Sequence, residues 1–270
     1  MDARRFISLD TLRKISHRLR CAYFAPRIKI EPGVAKIVRL GSRYGGWILE
    51  DSPDLHGATI VSCGLGEDAS FDCEFAAKYS ATVIIVDPTP RAVAHFTAIQ
   101  AEMGRENRTA YVDGGKQPIS AYPLSRLSAD MLRLEPSALW TENTVLKFFA
   151  PPNPAHVSHS IINFQNNYAT NTDHIEVPSV TLDQLVAKYN LTDLPLLKLD
   201  IEGAEVDVLL KMTTTNVRPR QVLVEFDEML FPSSRGKERA ESVDQALRSA
   251  GYTCRYKDGP ANFLYVRDGS

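Results

Sequence analysis

The chain has 270 residues, 44% of them hydrophobic and 24% charged, with a formal net charge of −2. That apolar content suffices for one large α/β core, and the charge balance argues against a dedicated nucleic-acid binder. No run of about 18 apolar residues occurs and the start of the chain lacks the apolar stretch of a secretory signal, so no membrane span is expected and the cytoplasm is the default compartment.

Residues 1–50 read as a basic N-terminal extension. Leu9, Leu12, Ile15 and Leu19 share one face of a helix, and Arg13, Lys14 and Arg18 surround the other. Such a face either meets an anionic partner or is the solvated side of a docked helix. Pro26 and Glu31-Pro32-Gly33 then break the chain. The glycine-rich, aromatic stretch Arg39–Ile48 follows, in which Tyr44 and Trp47 either line the mouth of a ligand site or form a lid on a sheet edge. Cys21, Cys63, Cys73 and Cys254 lack metal-ligand spacing and read as free thiols, and no metal site is expected.

Residues 51–270 read as one domain organised around Ala58–Pro88. Ala58–Ser62 is a short apolar, β-branched run bounded by glycines, which predicts a buried strand. Gly64 and Gly66 follow as a turn where a ligand can approach the backbone, then Phe71, Phe75, Ala76 and Tyr79 recur at helical spacing. A second buried strand, Thr82–Val86, ends on Asp87. Strand, glycine turn, helix, strand and acid make half of a Rossmann-like nucleotide unit, with Asp87 placed to hold ribose hydroxyls.

Gly64-x-Gly66-x-x-Ala69 also fits a relaxed dinucleotide fingerprint, so charge must separate the ligands. Glu67 and Asp68 occupy the helix start where a pyrophosphate would lie, and a carboxylate about 4 Å from a phosphate costs roughly 1–4 kcal/mol. S-adenosylmethionine carries the same adenosine without a phosphate, and its sulfonium and ammonium tolerate carboxylates. The competing reading of Glu67 and Asp68 is that they only complement the helix dipole.

Pro88-Thr89-Pro90 opens a helix through Val93, Phe96 and Met103, ended by Gly104. Thr109–Val112 reads as a third strand ending at Asp113, which either binds the adenine amino group or makes the turn that Gly114 and Gly115 imply. Leu124, Leu127, Met131, Leu132 and Leu134 suggest a helical piece interrupted by prolines. A β-rich flap at about 141–180 is expected from the runs Val145–Phe149, Ser160–Phe164 and Ile175–Val180. Its His156, His159, Asn163, Asn166 and Asn167 either hydrogen-bond a hydroxyl-rich substrate or simply favour turns.

Thr181 with Gln184 has capping-box spacing and opens a helix carrying Leu182, Leu185 and Tyr189. The apolar run Leu194–Leu199 then ends in Asp200, Glu202, Gly203 and Glu205, at the carboxyl end of a strand where open α/β sheets bind ligands. Carboxylates there can orient an acceptor hydroxyl, take its proton or bind a divalent cation, with Asp200 the foremost candidate base, Glu202 and Glu205 beside it and His156 and His159 the runner-up bases; Glu202 and Glu205 alternatively just favour the next helix start. Gln221–Phe226 predicts a fifth core strand, Ala240–Ala250 a helix, and Tyr252–Tyr256 with Ala261–Val266 a terminal hairpin. The sheet is therefore expected to be mostly parallel with an antiparallel final strand.

The blocks VSCGLGEDASFD, VIIVDPTP, SVTLDQL and LKLDIEGAE, in this order and separation, resemble the FkbM-type S-adenosylmethionine-dependent methyltransferases over about Gly41–Glu225. The resemblance implies a class I methyltransferase fold and O-methylation of a sugar or other small-molecule hydroxyl. It implies that Gly64, Gly66 and Asp87 bind the cofactor and that the Asp200 block lies beside the transferring methyl. Ser62-Cys63 departs from the Asp-x-Gly usual at the first motif, which passes contacts with the methionine moiety to Glu67 or Asp68, with Ser62 kept among the cofactor-binding candidates. The alternative class is a binding protein that keeps this fold with little catalysis and uses its basic N-terminus for an anionic partner.

Overall fold

The computed structural model describes residues 19–151, 160, 161, 169, 171–230 and 232–268. The basic helical face at Leu9, Leu12 and Ile15 lies outside the described residues, as do His156, His159, Asn163, Asn166 and Asn167.

Short β-branched runs build a seven-stranded sheet. In chain order its strands are β3 (Thr59–Cys63), β4 (Thr82–Val86), β5 (Leu132–Glu135), β9 (Leu196–Leu199), β10 (Gln221–Glu225), β11 (Tyr252–Asp258) and β12 (Asn262–Arg267). Their spatial order is β11-β12-β10-β9-β3-β4-β5. Neighbours from β10 through β5 run parallel, and β12 is antiparallel to both β10 and β11. Helices α1 (Ser70–Tyr79), α2 (Pro90–Ala101), α3 (Leu182–Lys188), α4 (Glu205–Met212), the one-turn α5 (Asp227–Leu230) and α6 (Ser234–Ser249) complete the alternation.

A strand sends successive side chains to opposite faces, so each buried strand feeds two apolar layers. Ile60, Val83 and Leu196 join Phe71, Phe75 and Tyr79 on one face. Val61, Ile84 and Leu197 join Leu185, Leu209 and Leu247 on the other. The glycine-rich, aromatic stretch lies in an antiparallel hairpin, β1 (Ile37–Leu40) with β2 (Trp47–Glu50). Leu40, Trp47 and Leu49 pack into the first layer, and Gln221 ties the hairpin to β10 by donating to Glu50 O and accepting from Glu50 N.

The third parallel strand is not Thr109–Val112, which carries no strand structure, but Leu132–Glu135, where a helical piece was expected. Leu124–Arg126 forms only a 3-10 turn after Pro123, and beyond it Leu132 and Glu135 are buried while Arg133 is exposed. A four-residue edge strand carries too short an alternation to override the run of leucines when read in isolation. The insertion forms a small sheet of order β6-β8-β7, from β6 (Ala138–Leu139), β7 (Val145–Phe149) and β8 (His174–Val180). Of the strand expected from Ser160, Ser160 itself exchanges backbone hydrogen bonds with Phe149, and 162–168 lie outside the described residues. No helix among the described residues is long and apolar enough to cross a membrane.

Candidate active site

The sheet order reverses direction between β3 and β9, since the chain leaves β3 toward β4 and returns on the other side. A crevice opens there at the carboxyl ends of the strands, the general ligand position of open α/β sheets. The cleft holds about 610 Å³ and is lined by both expected motifs, from Gly64 to Asp68 and from Asp200 to Glu202.

Gly64 sets the geometry. Its φ is +87°, and a Cβ added there would lie 1.8 Å from the Asp200 carbonyl oxygen, so β3 and β9 approach backbone to backbone just beyond their last residues. Only glycine allows this contact. Lys198 locks the pair: its buried ammonium donates to Gly64 O at 2.7 Å and Cys63 O at 3.2 Å, and lies 3.7 Å from the Asp200 carboxylate. Its charge is also 5.4 Å from the centre of the Trp47 ring.

Asp87 is buried at the end of β4. Its Oδ2 accepts from Leu65 N and Gly66 N, and its Oδ1 from the Thr89 amide and hydroxyl. The carboxylate thus shapes the glycine turn while bordering the cleft. Glu67 is paired with Arg91 and with Lys116. Burial pushes its carboxyl up, but the hydrogen bonds from Lys116 and Arg91 outweigh that and hold it below the usual range. Asp68 accepts from Ser70 N at the start of α1 and from the Ser42 hydroxyl. Both acids border the cleft, yet the repulsion expected of them toward a phosphate is weakened, because Glu67 is compensated.

Ser62 faces Asp72 beneath the turn, and neither Ser62 Oγ nor Asp72 Oδ1 finds a well-formed hydrogen bond among the described residues. Asp113 is far from the role of adenine ligand by geometry: its side chain is exposed, 3.9 Å from Arg43, and it neither ends a strand nor lines the cleft. Gly115 lines the mouth instead, beneath the Tyr44 ring.

Asp200 and Glu202 both face the cleft. Glu202 has φ +55°, a left-handed conformation that non-glycine residues rarely adopt, and its carbonyl accepts from Ser160 Oγ at 2.6 Å. Glu205 departs from the expected catalytic group. It is buried outside the cleft lining, and its two oxygens accept from Ile201 N at 2.7 Å and Gly203 N at 3.0 Å, which makes it the clip of the turn before α4.

Sequence reasoning missed Lys198, Asp72, Glu225 and Asp227, all of which line the cleft. Lys198 had a readable signal, a charge inside the apolar run Leu-Leu-Lys-Leu, and so did Glu225, an acid ending a buried strand like Asp87. Burial, then Asp200 and Glu202 nearby, push the Glu225 carboxyl up to about 8. Burial, then Glu205, Glu202, Glu225 and Asp200, push Asp227 up to about 10.

These two acids hold protons that an unfolded chain releases in the ordinary carboxylate range. Their contribution is therefore most favourable at low pH and is lost as pH rises toward about 8 and about 10. His95, lowered by burial, pulls the other way only below its ordinary value. Between pH 6.5 and 8.5 the ligand-free protein is expected to lose on the order of 1 kcal/mol per pH unit, read by calorimetric melting. A melting temperature that rises across this window would show that the two acids are ionised in the folded state.

The chain belongs to the FkbM methyltransferase family: the methyltransferase FkbM domain matches residues 43–254, a span that takes in the glycine turn, Asp87, the Asp200 block, Glu225 and Asp227. Among solved structures it has a remote similarity to a mutant of the 16S rRNA (adenine(1408)-N(1))-methyltransferase from Catenulisporales acidiphilia, at 14% identity, with 85% of this chain and 98% of that chain covered and a TM-score of 0.35. No curated protein matches the chain.

Proposed function

We propose that the protein has a Rossmann-like class I methyltransferase fold and transfers a methyl group from S-adenosylmethionine to a hydroxyl of a sugar or other small molecule. One observation carries this reading: the backbone contact of Gly64 with Asp200 puts a nucleotide-type glycine turn and an acidic cluster into a single cleft. The donor set fits the cofactor, since the cleft is rich in carboxylates and Lys198 is its single lining lysine or arginine among the described residues. The Gly64–Gly66 turn would hold the cofactor, with Asp68 near its methionine end; Ser62, expected among the cofactor contacts, is buried beneath the turn and does not line the cleft. Asp87 would fix the turn and reach the ribose hydroxyls by releasing the Thr89 hydroxyl.

When bound, the cofactor supplies an activated methyl group on a sulfonium. Asp200 then aligns the acceptor hydroxyl and accepts its proton as the oxygen gains positive character, while Glu202, held in its left-handed conformation, orients the acceptor. The buried ammonium of Lys198 lies 3.7 Å from the Asp200 carboxylate and holds it against the Gly64 turn through its bonds to Gly64 O and Cys63 O.

The test is thermal stabilisation by S-adenosylhomocysteine against NAD. A ligand at about 100 times its Kd adds roughly 2.7 kcal/mol, and only S-adenosylhomocysteine should do so. Asp87→Ala, measured in the same experiment, is expected to lower that affinity by about 1.5–3 kcal/mol, the range for a lost charged hydrogen bond. Stabilisation by NAD alone would overturn the cofactor assignment, and full affinity in a folded Asp87→Ala protein would overturn the role of that residue.

A further inference from the structure

We infer that the acceptor carries a protonated amine near its reacting hydroxyl, and that Glu225 and Asp227, at the β10 wall of the cleft, bind that ammonium. This rests on the cofactor reading above and names the class of molecule that the same site accepts.

The cleft has far more acidic than basic side chains. Asp72, Asp200, Glu202, Glu225 and Asp227 line it, and the one lysine or arginine among its described lining residues is Lys198, whose ammonium is already committed to two carbonyls and Asp200. A second observation is independent of that count. Asp227 is only 7% exposed, lines the cleft, and its Oδ2 has no hydrogen-bond partner among the described residues. A buried carboxyl oxygen without a hydrogen-bond partner is costly, and a ligand that brings N–H groups to this carboxyl relieves the cost. Both acids hold their protons because burial and neighbouring carboxyls disfavour the charge, which an arriving ammonium would restore.

A metal ion does not suit the arrangement. Among the described residues no three acidic, histidine or cysteine side chains converge closely enough to hold one. An organic ammonium is larger, carries three directed donors and can span two carboxyls that do not converge on a point.

The cofactor does not account for these acids either. It brings an ammonium, a sulfonium and a carboxylate, one net positive charge, to the glycine turn after β3. β10 lies two strands from β3, roughly 10 Å at the usual strand spacing, on the side away from β4 and Asp87. Asp200 and Glu202 stand between, after β9. The order across the sheet therefore places the nucleoside beside β4, the reacting centre by β9 and the far end of the acceptor by β10. Ala138, Leu146, Phe148 and Ile161 add an apolar part to the lining. The cleft thus matches a compact molecule with a hydroxyl, a cation and a hydrocarbon face.

The experiment uses the protein saturated with S-adenosylhomocysteine and three amine probes, each with its hydroxyl twin: glucosamine and glucose, galactosamine and galactose, serinol and glycerol. Affinities are measured by calorimetry at constant ionic strength. At least one amine is expected to bind tenfold or more tightly than its twin, and that preference should fall at least tenfold in Asp227→Asn. Glu225→Gln serves as the second variant should Asp227→Asn fail to fold. The proposal is overturned if no amine exceeds its twin by more than twofold, or if the preference survives in the folded variants. Failure of S-adenosylhomocysteine to bind at all would instead overturn the cofactor reading, so the two ideas fail separately.

Discussion

Asp200→Asn is expected to lower single-turnover methyl transfer by about 10²–10⁴ while the protein still binds S-adenosylhomocysteine. The substitution keeps the shape of the side chain and removes its charge and basicity. Methyl transfer from a sulfonium is intrinsically favourable, so on the function proposed above the protein's work would be alignment of the acceptor and removal of its proton, both assigned there to Asp200. It follows β9 directly, faces the cleft, and lies 3.7 Å from the buried Lys198 ammonium. Labelled S-adenosylmethionine with an accepted amino alcohol provides the assay, with cofactor affinity read in parallel. Near-normal turnover in Asp200→Asn would overturn its role as base and transfer that role to His156 or His159 of the flap, the runner-up bases of the sequence.

Gly64→Ala should be more damaging than its single methyl group suggests. The left-handed backbone at this position costs a residue with a Cβ roughly 1–2 kcal/mol by itself. The new atom would then overlap the Asp200 carbonyl, a backbone group that cannot rotate aside, so β3 and β9 must separate. Separation lengthens the Lys198 bonds to Cys63 O and Gly64 O and shifts the acids relative to the glycine turn. We expect a lower melting temperature together with a loss of S-adenosylhomocysteine affinity of tenfold or more. A variant that melts and binds normally would show that the approach of the two strands is not required. Gly57, where a Cβ would meet nothing within 4 Å, is the control: Gly57→Ala shares the positive φ but not the overlap.

Much of this was legible in the sequence, for physical reasons that differ from element to element. The strands at Thr59–Cys63, Thr82–Val86 and Gln221–Glu225 are buried on both faces, so each is an apolar run that needs no periodicity to be seen. Thr181 and Gln184 form both halves of their capping box, a short-range device that depends on nothing else in the chain. Leu132–Glu135 was not legible because an edge strand is decided by its neighbour β4, which lies far away in sequence. Thr109–Val112 has strand-like residues but no partner, and β-propensity alone does not make a strand.

The site divides along the same line. The glycine turn and the Asp200 block are contiguous motifs and could be read. Their contact, and the arrival of Glu225 and Asp227 at the same cleft, arise from sheet order, which no local pattern encodes. The division of labour among the acids was hidden for a different reason. Asp200, Glu202 and Glu205 are chemically alike in the sequence, and only the backbone between them shows that Glu205 clips the turn while the others face the cleft.

That clip has a consequence for how the site meets its ligands. Because Glu205 receives the amides of Ile201 and Gly203 from within the protein, the bend that carries Asp200 and Glu202 has its shape before any small molecule arrives. The entropy of ordering this bend is lost during folding, when packing of α4 compensates it, and not during association. The two carboxylates therefore behave as a fixed gauge. A molecule whose reacting oxygen misses the gauge by roughly an ångström is rejected through slow chemistry even when it binds well, so discrimination here is expressed in turnover more than in affinity.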